Sequence, residues 1–442
     1  RIMDETTNAA RALIEWYWAH GKNRVREEKL FAEGWLAELY KIERNSKKLF
    51  NSATQSSRAA LALWGPSQAG KSVMLSGYID GGKDSDPTGK GSALDWGTPV
   101  RFSIPYEGYD EARDDTICVN PYNAGMDGSG CITRFTMVNP EETHGMDLEH
   151  PVELSLATPS QIMHGLAAGY ASECRAEYEG KTANWNMDSL SDLLDKYDLG
   201  LPEEVEIDRP AYELLLEVTE ILIMLRKAQV DRYMSIPGGS LDSAREKILQ
   251  CRSLLSSREK VEEFAAELFW NGRSRMTETY KGLCQMIDKV QGYTGGKGNI
   301  HCSFKVAHIF LDISRHEKIV DEHYGTPDLK KRLRGEIDAL SWKSCEDGIV
   351  MTHEEGAGQK MVQGIKEFAY LQGIIWKLLV PLREDRIKEN SSTLHELLSK
   401  ADIVDFPGVS NVGKASELDL IDVDDLPEKN EHWLFTKILK RG

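Results

Sequence analysis

The stretch Gly65 to Ser72 reads G-P-S-Q-A-G-K-S, and it constrains the fold more than any other segment of this chain. Two glycines separated by four residues and followed by Lys and Ser make a tight loop, and the loop is flanked by regular structure on both sides. The apolar run Leu61-Ala62-Leu63-Trp64 predicts a buried strand entering it, and Val73-Met74-Leu75 predicts a helix leaving it. In a strand, loop, helix arrangement the backbone N–H groups and the helix N-terminus face inward, which suits phosphate. Gly65, Pro66, Ser67, Gln68, Ala69 and Gly70 would shape that cradle, and Val73 would open the helix. Lys71 would reach the outer phosphates, and the Ser72 hydroxyl would ligate Mg²⁺. Such a chain requires an α/β fold, because the helix must pack back on the sheet that holds the strand.

A phosphate cradle that carries out chemistry needs a carboxylate at the end of a neighbouring strand to serve the metal. Ala401-Asp402-Ile403-Val404-Asp405-Phe406-Pro407-Gly408 offers one: an apolar strand ends at Asp405, and Gly408 follows in a D-x-P-G turn whose N–H can face the γ-phosphate. Asp422, in Leu418 to Asp425, is a competing strand end without the glycine. A third element is a Thr on a closing loop. Ser129-Gly130-Cys131-Ile132-Thr133-Arg134 follows a turn-rich segment and leads into a strand, which places Thr133 for a role at Mg²⁺ and the attacking water. Arg134 can either neutralise phosphate charge or stand on the surface of the strand.

The region after the loop has strand character at Val100 to Ile104, Ile117 to Val119, Ile132 to Val138 and Val152 to Leu156. From Pro159 the pattern becomes helical, with apolar residues at three and four spacing over Ser160–Glu179, Tyr212–Met234, Leu241–Leu255 and Glu259–Tyr293. Ile349 to Thr352 and Ile374 to Val380 return to strand composition. The basic run Lys330-Lys331-Arg332-Leu333-Arg334 fits a solvated helix face. Ahead of the loop, Thr6 to His20 and Glu27 to Tyr40 read as helices packed on the nucleotide domain. The expected organisation is a helical preface over 1–58, the first part of the nucleotide domain over 59–158, an inserted helical module over 159–371, and the second part over 372–442. Roughly 330 residues lie between Ser72 and Asp405, so the two can share one sheet only if the intervening chain is an insertion.

The net charge of −17 argues against nucleic-acid binding and against docking to an anionic membrane. Seven cysteines without C-x-x-C spacing fit reduced thiols of a cytoplasmic protein. No apolar run approaches the roughly 20 residues needed to span a bilayer.

Together, LALWGPSQAGKS, GSGCITRFT and ADIVDFPG resemble the corresponding motifs of dynamin-like large GTPases, and more closely those of the bacterial virulence factor SrfC family. The resemblance implies a P-loop NTPase domain that binds GTP (or ATP) with Mg²⁺, Lys71 at the β/γ-phosphates, Ser72 and Thr133 on the metal, Asp405 assisting it and Gly408 at the γ-phosphate. It also implies a homodimer or homo-oligomer, a bacterial cytoplasmic protein or secreted effector, and a protein partner on the helical module. Members of that family are longer, and Arg1 stands where Met would begin a chain, so a fragment is expected. Two positions depart from the pattern: a catalytic Ser of dynamins is Gln68 here, and the guanine-reading [NT]-K-x-D has only the partial match Thr436-Lys437-Ile438-Leu439. Gln68 could still orient water. The alternatives are a nucleotide-binding effector with little turnover, and an ATPase of a defence or transport assembly.

Overall fold

The computed structural model describes residues 2–20, 34–46, 58–63, 71–81, 91–102, 117–119, 131–142, 147–173, 187–197, 207–228, 236–295, 299–311, 327–354 and 358–405. The chain is α/β, built on a large mixed sheet. Its strands are β1 (Ala59–Leu63), β4 (Ile132–Val138), β5 (Val152–Leu156), β6 (Asn299–Cys302), β7 (Leu340–Cys345), β8 (Gly348–His353), β9 (Gln359–Lys360), β10 (Ile375–Arg383) and β11 (Ala401–Asp405), in the order β1-β11-β4-β10-β5-β6-β8-β7-β9. β2 (Val100–Arg101) and β3 (Ile117–Cys118) form a separate parallel pair. β1 lies parallel to β11, β11 antiparallel to β4, and β4 parallel to β10.

One face of the sheet is more deeply covered than the other, as the period of two in a strand requires. Leu378, Val380 and Leu382 of β10, Val152 and Leu154 of β5, and Ile300 and Cys302 of β6 are buried in the continuous core. Alternate residues such as Lys377, Glu153 and His301 are only partly covered.

The helices used below are α1 (Ile2–His20), α2 (34–46), α3 (Lys71–Ile79), α4 (Pro159–Glu173), α5 (Met187–Asp195), α6 (Arg209–Lys227), α7 (Leu241–Gln250), α8 (Arg258–Trp270), α9 (Ser274–Thr294) and α10 (Phe304–Leu311). α6 starts sharply because the Asp208 carboxylate accepts the Ala211 N–H at 3.1 Å and Pro210 stands in its first turn. Its buried stripe, Leu215, Val218, Leu222 and Leu225, packs into the helical core. The single long helix expected over Glu259–Tyr293 is two helices. Asn271 adopts φ 55° and Gly272 φ 68°, so α8 ends in a left-handed cap and α9 starts afresh at Ser274.

Residues 159–371 are not purely helical. β6, β7, β8 and β9 arise within this stretch and extend the same sheet. Val306 sits buried in α10. The preface also packs differently from expectation, because α1 and α2 dock on α6. The Tyr40 hydroxyl donates to Glu213 at 2.6 Å and accepts from Trp18 Nε1 at 2.9 Å, while Arg209 holds both oxygens of Glu15 at 2.7 and 2.9 Å. Apolar and aromatic residues on these helices find their partners on α6, where the rings of Trp18 and Tyr40 each meet Tyr212.

Candidate functional site

Sheet register brings two of the distant motif residues together. Leu63, the last residue of β1, is the parallel partner of Asp405, the last residue of β11. β1 therefore ends beside Asp405, one strand away at about 5 Å. On the other side of β11, Asp405 faces Thr133 directly in the antiparallel pair with β4. Residues opposite one another in such a pair put their side chains on the same face, with Cα atoms about 4.5–5.5 Å apart. Asp405 is 2% exposed and Thr133 6% exposed, so a carboxylate and a hydroxyl stand side by side in a site largely closed to water.

α3 begins at Lys71, eight positions after the end of β1, and carries Lys71, Ser72 and Val73 in its first turn. The other end of α3 is fixed by polar contacts. Asp80 is buried and accepts the Phe102 N–H at 3.0 Å and the Ser92 hydroxyl at 2.7 Å, and Asn390 Nδ2 donates to the Ile79 carbonyl at 3.0 Å. Gly65, Pro66, Ser67, Gln68, Ala69, Gly70 and Gly408 lie outside the described residues, as do Asp422 and Thr436-Lys437-Ile438-Leu439.

Arg134 takes neither role expected from sequence. It points to the opposite face from Thr133, is 8% exposed, and binds Asp402 through Nε at 2.8 Å and through a terminal nitrogen at 2.7 Å. Arg58 approaches the other Asp402 oxygen at 3.3 Å, and Arg134 also donates to the Arg58 carbonyl at 3.1 Å. Lys377 on β10 lies near this cluster; burial, and then the Arg134 charge, hold its ammonium below the usual lysine range, with Glu153 and Asp402 opposing. The cluster ties β1, β11 and β4 together on the face opposite the candidate site. The pairing of Arg134 with Asp402 was not legible in the sequence, because ADIVD reads as an apolar strand and Asp402 gives no local sign of its partner 268 positions away.

The donor set around Asp405 and Thr133 suits a hard cation. Both supply oxygen, the ligand type that Mg²⁺ selects. A second acidic group, Asp147, Glu149 and His150, is accounted for by its own turn: Asp147 accepts the backbone N–H groups of Glu149 and His150 and pairs with the His150 ring at 2.8 Å. Among the described residues no helix is long and apolar enough to cross a membrane. Comparison of the chain with protein-family models, with curated proteins and with solved structures finds no match.

Proposed function

We propose that the chain is an Mg²⁺-dependent nucleoside triphosphatase of the dynamin-like kind, with GTP as the preferred substrate and ATP as the alternative. The observation that carries this is the register of three strands: β1, which runs into GPSQAGKS, lies beside β11 ending at Asp405, and Asp405 faces Thr133 on β4. β1, the acidic strand end and the threonine are separated by long stretches of sequence, yet their strands are neighbours in one sheet. In open α/β sheets ligands bind at the ends of strands in this way.

In this proposal Lys71 and the backbone of 65–72 hold the β- and γ-phosphates. The hydroxyls of Ser72 and Thr133 would hold Mg²⁺, and the Asp405 carboxylate would assist them. Held there, Mg²⁺ would supply positive charge that offsets the negative charge of the γ-phosphoryl group. Gln68 orients the attacking water, and Gly408 presents its N–H to the γ-phosphate. Most of the acceleration comes from positioning and charge neutralisation. Base choice rests on the resemblance to dynamin-like proteins and SrfC-type chains, as do homo-oligomerisation and a bacterial virulence role. The segment 159–371 would transmit the change in the nucleotide state to a partner.

The test is nucleotide binding and turnover by the full chain. Mg·GTP is expected to raise the melting temperature and to be hydrolysed, with ATP weaker and Lys71→Ala abolishing both effects. If neither nucleotide shifts the melting temperature of the folded protein, the proposal fails. Tight binding without turnover would instead assign the nucleotide-holding effector role.

A further inference from the structure

Apart from the Asp405 and Thr133 pair, the described residues enclose a cavity of about 710 Å³ where five elements meet: α2, the start of α4, α6, α7 and the start of β10. That volume lies in the range of small-molecule sites. Trp376 of β10 and Leu216 and Met224 of α6 give it an apolar wall. Its cations come from two different helices, Lys41 and Arg44 on α2 and Arg245 on α7, and its carboxylates, Glu217 and Glu220, both come from α6.

The charges do not cancel. Lys41 pairs with Glu38 at 3.5 Å, which leaves Arg44 and Arg245 facing two carboxylates, and one of these is weakened as an anion: burial pushes the Glu217 carboxyl above the usual range, with the charge of Arg44 opposing. Two arginines set against Glu220 and a weakened Glu217, in a chain of net charge −17, are not a product of overall composition. Arg245 adds a second observation. Among the described residues its Nε is buried with no hydrogen-bond partner, and a buried guanidinium N–H left in that state costs about 1–3 kcal/mol. Lys247, on the same helix, reaches instead to Ser191 of α5 at 3.1 Å. His164 at the α4 wall is held below the usual histidine range by burial, so it enters the cavity as a neutral ring at pH 7.

We propose that this cavity is a binding site for a small organic anion, a carboxylate or phosphate monoester on a flat apolar body, with the acid at Arg245 and Arg44 and the body against Trp376 and Met224. It does not depend on the nucleotide proposal, since none of its residues belongs to the phosphate loop or its partners. The cavity borders the strand next to Thr133: Ile375 and Lys377 flank Trp376, and Lys377 is the register partner of Ile132. Occupancy of the cavity would therefore bear on the strand that carries Thr133.

The test uses the full chain and the fluorescent probe 8-anilinonaphthalene-1-sulfonate, an aromatic body with one fixed anion. Saturable binding at one site per chain is expected. Arg245→Met should weaken it about tenfold or more, and Arg245→Lys should retain it. Met224→Trp, a cavity-filling change at a residue that is 40% exposed, should block it without loss of the fold. 1-Naphthoate and 1-naphthyl phosphate are expected to displace the probe, and whichever acts at the lower concentration identifies the acid. The proposal is overturned if neutral 1-naphthol displaces the probe as well as the two anions do. It is equally overturned if Arg245→Met and Met224→Trp, melting as the parent does, bind the probe unchanged.

Discussion

Asp402 is the residue on which the placement of the candidate site most depends, and Asp402→Asn measures that dependence. The side chain is 5% exposed and receives two contacts from Arg134, at 2.7 and 2.8 Å, with Arg58 at 3.3 Å from its other oxygen. Asparagine keeps the volume and removes the charge. Losing charge-assisted hydrogen bonds costs about 1.5–3 kcal/mol. Leaving the buried Arg134 guanidinium, with 10% of its side chain exposed, without its counter-ion raises the total to about 3–5 kcal/mol. Arg58, at 31% side-chain exposure, is partly screened and adds less than about 1 kcal/mol. Urea unfolding followed by fluorescence and circular dichroism gives the difference. The double variant Asp402→Leu with Arg134→Met replaces the pair by apolar side chains and should recover most of the loss. If Asp402→Asn stays within about 0.5 kcal/mol of the parent, or the double variant is no better than the single one, the buried pair does not hold these strands together.

Thr133→Val preserves shape and strand preference, so stability should change by about 1 kcal/mol at most, while Mg²⁺-dependent turnover falls about a hundredfold or more; unchanged turnover would remove Thr133 from the metal site. Gly282→Ala brings a Cβ to 2.5 Å from the Tyr370 ring, where α9 packs on the helix Ile365–Ile374, and should cost about 1–3 kcal/mol in urea unfolding. Tyr370→Leu should relieve most of that cost, and a neutral Gly282→Ala would contradict the close approach. Glu217 gives a pH dependence of known sign. Its folded pKa is raised by burial, so the stability it contributes is complete below the ordinary Glu range and is lost as pH rises through the folded value. Glu217→Gln should therefore gain melting temperature relative to the parent at pH 7.5 but not at pH 4, and an equal shift at both would refute the cause. The Cys284 thiol is pushed up to about 12 by burial and should react with iodoacetamide at pH 8 far more slowly than exposed Cys345.

What was legible in the sequence followed from local pattern. β4, β5, β8 and β10 appear as alternating or apolar runs between turn residues, and β11 as a short run with apolar Ala401, Ile403 and Val404, closed by Asp405. The break at Asn271 was missed because Asn and Gly in a helical stripe leave the period nearly intact; only the positive φ shows the stop. β6 and β7 were missed for a different reason. β6 is only four residues long, and β7 is buried at Leu340, Ser341 and Trp342 but exposed at Lys343, Ser344 and Cys345, so neither gives a run of alternation long enough to read. The docking of α1 and α2 on α6 depends on Tyr40, Glu213 and Arg209, which are ordinary amphipathic residues until the fold brings them together across 173 positions. Of the candidate site, residue types and order could be read directly, and the need for Asp405 beside the strand of the loop followed from the chemistry. The cavity at Trp376 could not be read at all, since five separate elements supply its lining.

The most direct measurement of the central claim is a crystal structure of the chain with Mg²⁺ and a non-hydrolysable GTP analogue. One metal ion should lie at about 2.1 Å from the Ser72 and Thr133 hydroxyl oxygens, with Asp405 hydrogen-bonded to its water and Lys71 at the β- and γ-phosphates. A nucleotide bound elsewhere, or a metal without Thr133 and Asp405 around it, would contradict the assignment.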